Sequence, residues 1–151
     1  MARSTSSTVL VLNGPNLNLL GSRQPDVYGT STLNDHLTAL GIEAKKNGFQ
    51  IESFQSNSAS ELIAQIQGAR GRCAAIIINP GAFAHYAWSL SDALSTFDGP
   101  IVEVHISNPY AREPWRHVSV VAPVTIGMVS GFGGYGYVLA MQAIVKHLAD
   151  G

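Results

Sequence analysis

Each of the three most apolar runs of the chain stops at a polar, chemically capable residue. Val9-Leu10-Val11-Leu12 ends in Asn13, Ile76-Ile77-Ile78 ends in Asn79, and the run from Ile101 to Ile106 carries Glu103 and His105 before Ser107. Short runs rich in Val and Ile, flanked by turn signals, read as strands buried on both faces, the condition of a parallel sheet. In an open α/β sheet the carboxyl ends of such strands face the ligand crevice. Asn13, Asn79, His105 and Ser107 are therefore expected to converge on one pocket, which points to an enzyme.

The rest of the chain supplies two more strands and the connecting helices. Strands are expected at Thr8–Asn13, Phe49–Gln55 (a half-exposed edge), Ala74–Asn79, Ile101–Ile106 and Val124–Ser130. A helix bearing Leu33, Leu37, Leu40 and Ala44 is expected between a cap at Ser31 or Thr32 and a stop at Asn47-Gly48. The spacing predicts a second helix from Ser58 to Ala69, with Ser58 and Glu61 set as a capping box. Others are expected from Tyr86 to Phe97 and from Gly136 to Leu148, with a short helical turn around Arg112–Arg116. Regular alternation of strand and helix implies right-handed crossovers and helices on both faces of a parallel sheet. The expected fold is thus an α/β, flavodoxin-like three-layer sandwich with a five-stranded parallel sheet in the order 2-1-3-4-5. Gly131-Phe132-Gly133-Gly134-Tyr135-Gly136 matches G-x-G-x-x-G. A dinucleotide fingerprint also needs a following strand with an acidic residue about 20 residues on, and the chain ends first. These glycines read as a tight turn and close helix–sheet packing.

Nine Lys and Arg against ten Asp and Glu, with no basic stretch or acidic tail, argue against nucleic acid and anionic membranes as partners. Charged residues make up only 13% of the chain, about half the usual ~25%. So little charge implies a large subunit interface, hence a homo-oligomer. Cys73 is the only cysteine, which excludes an intrachain disulfide and reads as a small buried thiol. Met1 to Thr8 lacks the apolar core of a signal peptide, and no run reaches membrane-spanning length, so a cytoplasmic location is expected.

Two segments concentrate the chemistry. The loop from Asn13 to Gly29 exceeds the about 12–15 residues of ordinary connections and carries Arg23 and Tyr28 between Gly21 and Gly29, which suits a hinged cover. In the fourth strand, Glu103, His105 and Ser107 alternate with Val102, Val104 and Ile106, so the polar groups share one side of the sheet. Glu103 beside His105 would hold the imidazole in one orientation and favour its charged form.

Pro15, Asn16, Gly21, Arg23, Pro25 and Tyr28, with Asn79-Pro80-Gly81, Glu103-Val104-His105-Ile106-Ser107-Asn108 and Ala111-Arg112-Glu113, strongly resemble type II 3-dehydroquinate dehydratase. The resemblance runs in register from Val9 to about Leu148. It implies a single flavodoxin-like catalytic domain over 8–149, preceded by a disordered N-terminus at 1–7. It implies no metal or cofactor, and a homododecamer built of four trimers. The implied reaction is dehydration of 3-dehydroquinate to 3-dehydroshikimate through an enolate, in the shikimate pathway of aromatic amino-acid biosynthesis. By this resemblance Tyr28 is the base, working as tyrosinate, and Arg23 is its stabilising cation. One charge about 4 Å from a phenolate is worth about 4 kcal/mol at an effective dielectric of about 20, enough to matter. Asn16 would orient a water against the enolate oxygen, and His105, held by Glu103, would protonate the departing hydroxyl. Asn79, the Ile106 amide and Ser107 would cradle the substrate carboxylate. His85 and Arg112 would hold its other hydroxyls, and Asp92 would reach a neighbouring subunit's site. Arg116 and His117 lie beyond the matched motif and receive no catalytic role; His36 and His147 read as structural or solvent-facing. The chain departs from the usual pattern at Ala84, Tyr86-Ala87-Trp88 and Ser91, beside the hydroxyl-binding and subunit-contact region.

Other functions of such a fold fit less well. A flavin mononucleotide site would want several Ser, Thr and Gly residues after the first strand, where the chain reads Gly14-Pro15-Asn16-Leu17-Asn18. A phospho-acceptor receiver needs a strand-end Asp, and the strand ends are Asn13 and Asn79. A metal hydrolase built on His85, Asp92, Glu103 and His105 matches no familiar ligand spacing. An inactive structural relative is disfavoured by the presence of Tyr28, Arg23 and His105.

Overall fold

The structure is a computed structural model, and it describes residues 6–151. Of the expected disordered N-terminus at 1–7, residues 1–5 lie outside the described residues. Ser7 already joins the fold, its carbonyl accepting from Gln50 N at 2.9 Å. Five parallel strands, β1 (Thr8–Asn13), β2 (Gln50–Gln55), β3 (Ala75–Asn79), β4 (Ile101–His105) and β5 (Gly127–Ser130), pair in the order β2-β1-β3-β4-β5. The flavodoxin-like order expected from the strand count is the one observed.

Side-chain alternation along the central strands divides the core in two. Leu10, Leu12, Ile76 and Ile78 point to one face, where they pack on Leu62 and Ile66 of α3 (Ala59–Ala69) and Leu90 and Leu94 of α4 (Trp88–Leu94). Val9, Val11, Ile77, Val102 and Val104 point to the other. They meet Leu40 and Ala44 of α2 (Leu33–Lys46) and Tyr137, Met141 and Ile144 of α5 (Tyr135–Asp150). Both faces are dry, as a parallel sheet requires. Cys73, just ahead of β3, is buried, and burial pushes its thiol pKa up, as suits an inert core position.

Local chemistry moves several boundaries. Thr32 caps α2 in a full capping box with Asp35: Thr32 Oγ1 accepts from Asp35 N at 3.1 Å and Asp35 Oδ2 accepts from Thr32 N at 2.9 Å. The box expected from Ser58 and Glu61 does not form. Ser58 occupies the cap position of α3, but its hydroxyl turns to Ser60 Oγ at 2.9 Å. β5 starts three residues later than expected because Pro123 lies in a 3-10 turn, Ala122–Val124, and ladder contact with β4 begins only where Ile126 N reaches Ile101 O at 2.8 Å. The helix expected from Tyr86 begins at Trp88, since Tyr86 and Ala87 leave helical dihedrals after a 3-10 turn at Gly81–His85.

The long loop after β1 is only partly a cover. Leu17 and Leu20 are buried and pin its first half through a 3-10 turn, Leu17–Leu19. Beyond Gly21, which has positive φ, the chain forms the short α1 (Pro25–Tyr28) and leaves through Gly29, also at positive φ. The glycines before α5 allow close packing, as expected. A Cβ on Gly136 would sit 3.3 Å from Val104 Cγ1, and one on Gly134 would overlap the His36 ring.

That ring stacks on Tyr137 with centroids 6.0 Å apart, and its Nε2 is buried with no hydrogen-bond partner among the described residues. Burial lowers the His36 pKa from its ordinary value, against a smaller raising effect of Asp35. A depressed histidine pKa means that the unfolded chain takes up the proton first. Its contribution to stability is therefore intact above about pH 6.5 and is lost as pH falls through the folded-state value. Thermal melts of wild type and His36→Gln from about pH 8 to pH 5 should show a shallower acid-side decline in the variant; parallel declines would contradict this assignment.

Candidate active site

The carboxyl ends of β1, β3 and β4 open into a cavity of about 200 Å³. At the boundary between β1 and β3 the strand order reverses and the helices that follow them, α2 and α4, lie on opposite faces of the sheet, which is where ligands bind in doubly wound folds. Gly14 lets the loops after β1 and β3 close together: its N–H donates to Asn79 O at 2.8 Å, and an added Cβ would fall 2.2 Å from Pro80 O.

Nearly every residue singled out from the sequence lines this cavity: Asn16, Arg23, Tyr28, Asn79, His85, His105, Ile106, Ser107 and Arg112. Three do not. Asn13 is fully buried beneath the pocket, correcting the expectation that it faces a ligand. Glu103 is also fully buried and acts behind His105. Asp92, on α4, is exposed and lies outside the lining.

Tyr28 is flanked by two guanidinium groups. Arg112 Nη1 donates to its hydroxyl at 2.7 Å and to Ser107 Oγ at 3.2 Å. Arg23 Cζ lies 5.0 Å and Arg112 Cζ 5.3 Å from the ring centroid, both at cation–π distance. The cation touching the phenol oxygen is thus Arg112, whereas Arg23 approaches the ring.

Across the cavity, His105 Nε2 lies 2.5 Å from Glu103 Oε2. A carboxylate with no solvent exposure needs further donors. Ser119, which nothing in the sequence singled out, supplies one: its hydroxyl lies 2.9 Å from both Glu103 oxygens and accepts from Val121 N and Ala122 N at 3.2 and 3.0 Å. Its contact with Glu103 spans 16 residues and crosses from a loop to a strand, so no local pattern could reveal it.

His85 Nδ1 is 2.6 Å from Val118 O, and its ring lies 6.5 Å from that of His105 and edge-on to Trp115 at 5.3 Å. Arg116 lines the cavity as well, lying 4.1 Å over Trp115 and paired with Glu113 at 2.9 Å. It falls outside the string Ala111-Arg112-Glu113 that carries the family resemblance. Its spacing from Arg112 across Pro114, in a chain so poor in charge, was the available signal. Asn16 holds a left-handed conformation, φ 68°, and its backbone N–H donates to Asn57 Oδ1 at 3.0 Å. Asn57 also accepts from Gln55 Nε2 at 3.2 Å, so the end of β2 braces Asn16.

An open parallel sheet with a solvent-facing pocket at its strand-order switch, carrying a phenol between two cations and a carboxylate-backed imidazole, defines a flavodoxin-like α/β enzyme equipped for proton transfer. The chain belongs to the class II dehydroquinase family, whose model matches residues 7–145. It is 47% identical over 139 residues to the 3-dehydroquinate dehydratase of Halalkalibacterium halodurans, covering 92% of this chain and 96% of that protein. Its identity to the protein of the same name from Dictyoglomus turgidum is 52% over 136 residues, 90% of this chain and 94% of the relative. The crystal structure of type II dehydroquinase from Propionibacterium acnes superposes with a TM-score of 0.89 at 39% identity, covering 96% of this chain and 99% of that one. The family resemblance read from the motifs is borne out.

Removal of the Ser119 hydroxyl leaves a buried carboxylate short of a donor. Ser119→Ala should lower the unfolding free energy by about 1–3 kcal/mol, measured by denaturant titration at neutral pH; an unchanged midpoint would show that Ser119 does not support Glu103.

Proposed function

We propose that this chain eliminates water from 3-dehydroquinate to give 3-dehydroshikimate, the step of the shikimate pathway from which its relatives take their name. One observation carries the reading: a phenol set between two guanidinium groups and an imidazole backed by a buried carboxylate line the same small cavity. An elimination next to a ketone needs such a pair, a base to take the carbon-bound proton and an acid to give one to the leaving hydroxyl.

Tyr28, as tyrosinate, takes the proton beside the ketone and the electron pair moves to the carbonyl oxygen as an enolate. Arg112 and Arg23 stabilise the phenolate charge before that step. We read Arg112 as a partner of the base rather than as a holder of substrate hydroxyls, on the strength of its 2.7 Å contact. Asn16 orients a water against the enolate oxygen. Collapse of the enolate expels the neighbouring hydroxyl, which leaves as water with the proton of His105, and Glu103 keeps that imidazole oriented. Asn79, the Ile106 N–H and Ser107 cradle the carboxylate. His85, joined by Arg116 around Trp115, takes the remaining hydroxyls. No metal or cofactor enters this scheme.

The same reading extends to assembly and location. Asp92, exposed on α4, reaches into a neighbouring subunit's cavity in a homododecamer of four trimers. No helix among the described residues is long and apolar enough to cross a membrane; the proposed location, the cytoplasm, is that of a biosynthetic enzyme.

Tyr28→Phe keeps the ring and removes the proton acceptor. Turnover of 3-dehydroquinate should fall by about 10²–10⁴-fold with the fold unchanged by circular dichroism; near-normal turnover would remove Tyr28 as the base. Arg23→Ala should lower kcat for 3-dehydroquinate, because the base loses a cation 5.0 Å from its ring centroid; unchanged turnover would count against that cation.

A further inference from the structure

The glycine-rich run before α5 matches no nucleotide site, yet it is the means by which Tyr137 reaches the catalytic edge of the sheet. Gly131 N and Gly133 N donate to His105 O and Ile106 O at 3.2 and 3.0 Å, which fixes the run against the end of β4. Without a side chain at Gly136, α5 settles onto Val104, and the next residue, Tyr137, enters the sheet with no solvent exposure. Its hydroxyl arrives between the last residues of β1 and β3, donating to Asn13 Oδ1 and accepting from Asn79 Nδ2 at 3.0 Å.

The polarity of this chain of bonds is determined at one end. Gly81 N–H, 3.2 Å from Asn79 Oδ1, needs an acceptor, so the Asn79 amide must present its nitrogen to Tyr137. The phenol oxygen then accepts, and its single proton can go only to Asn13. Burial keeps the phenol pKa well above its ordinary value, so that proton stays in place. Asn79 is thereby held at both ends of its amide. Of its two N–H bonds one is engaged by Tyr137, and the other is left for the cavity that Asn79 lines.

We propose that Tyr137 is a positioning residue for ligand binding: it locks the Asn79 amide so that a single N–H donor faces the cavity, available to an anionic oxygen of the substrate. This inference rests on the carboxylate-binding role given to Asn79 above. Loss of the phenol oxygen leaves the amide held by Gly81 N–H alone, so it tilts and its cavity-facing N–H loses its aim at the substrate oxygen. The proton-transfer groups are untouched, so binding suffers and chemistry does not.

Steady-state kinetics of the intact oligomer with 3-dehydroquinate test this. Tyr137→Phe should raise KM about fivefold to tenfold, the effect of one misdirected hydrogen bond, with kcat within about twofold of wild type. Asn79→Ala should raise KM at least as much. The double variant Tyr137→Phe/Asn79→Ala should match Asn79→Ala alone, since Tyr137 acts through Asn79. Gly136→Ala, which lifts the start of α5 without removing a polar group, should raise KM in the same direction. A purely structural role would lower the melting temperature while leaving KM unchanged, and that result overturns the inference, as do multiplicative effects in the double variant. Wild-type protein inert toward 3-dehydroquinate would overturn the functional reading and this inference with it, whereas active wild type with an unaltered KM in the variants overturns this inference alone.

Discussion

Burial of the central sheet on both faces is the constraint from which the rest follows. β1, β3 and β4 carry Val, Leu, Ile and Ala toward helices on either side, and such positions exclude unpaired polar groups. Polar chemistry is thereby driven to the carboxyl ends of the strands, where the chain turns and water returns. Asn79, His105 and Ser107 stand there for that reason. Glu103 is the buried carboxylate inside the sheet, and it is tolerated because His105 and Ser119 supply its partners. The same buried carboxylate that would be a burden elsewhere gives His105 a fixed orientation at the rim of the cavity.

The electrostatic arrangement is asymmetric in a way that suits an elimination. On one side of the cavity two arginines surround a phenol. On the other, a buried carboxylate holds an imidazole. Tyr28 and Arg23 come from the loop after β1, Glu103 and His105 from β4 and Arg112 from the loop after it, brought together because β1 and β4 flank β3 in the sheet. The half of the first loop between Gly21 and Gly29 brings Arg23 and Tyr28 to the pocket, while Leu17 and Leu20 hold the other half in the core.

What was legible in the sequence follows physical range. The strand ends were visible because a short continuous run of Val, Leu and Ile announces burial on both faces and its stop, and five strands alternating with helices suggest the topology. Tyr28, Arg23 and His105 were found through highly specific strings. Ser119 and Tyr137 escaped, because each acts through one hydrogen bond to a residue far away along the chain. Arg116 escaped because the matched string ended before it. Asn13 was placed in the pocket by the rule that strand ends face the crevice, and Tyr137, which fills the space below it, is the reason that it does not. Thr32 rather than Ser58 forms the capping box, since Ser58 finds a nearer partner in Ser60. The glycine run has the packing role expected of it, and that packing delivers Tyr137 to the strand ends.

The most direct test of the account is to add the purified wild-type protein to 3-dehydroquinate, with a chelator present, and to follow the ultraviolet absorbance of the conjugated enone product. A steady rise, unaffected by the chelator, is the result expected of a cavity that performs the elimination with its own phenol and imidazole. No rise from folded protein would contradict the account and leave the cavity as a binding site without this chemistry.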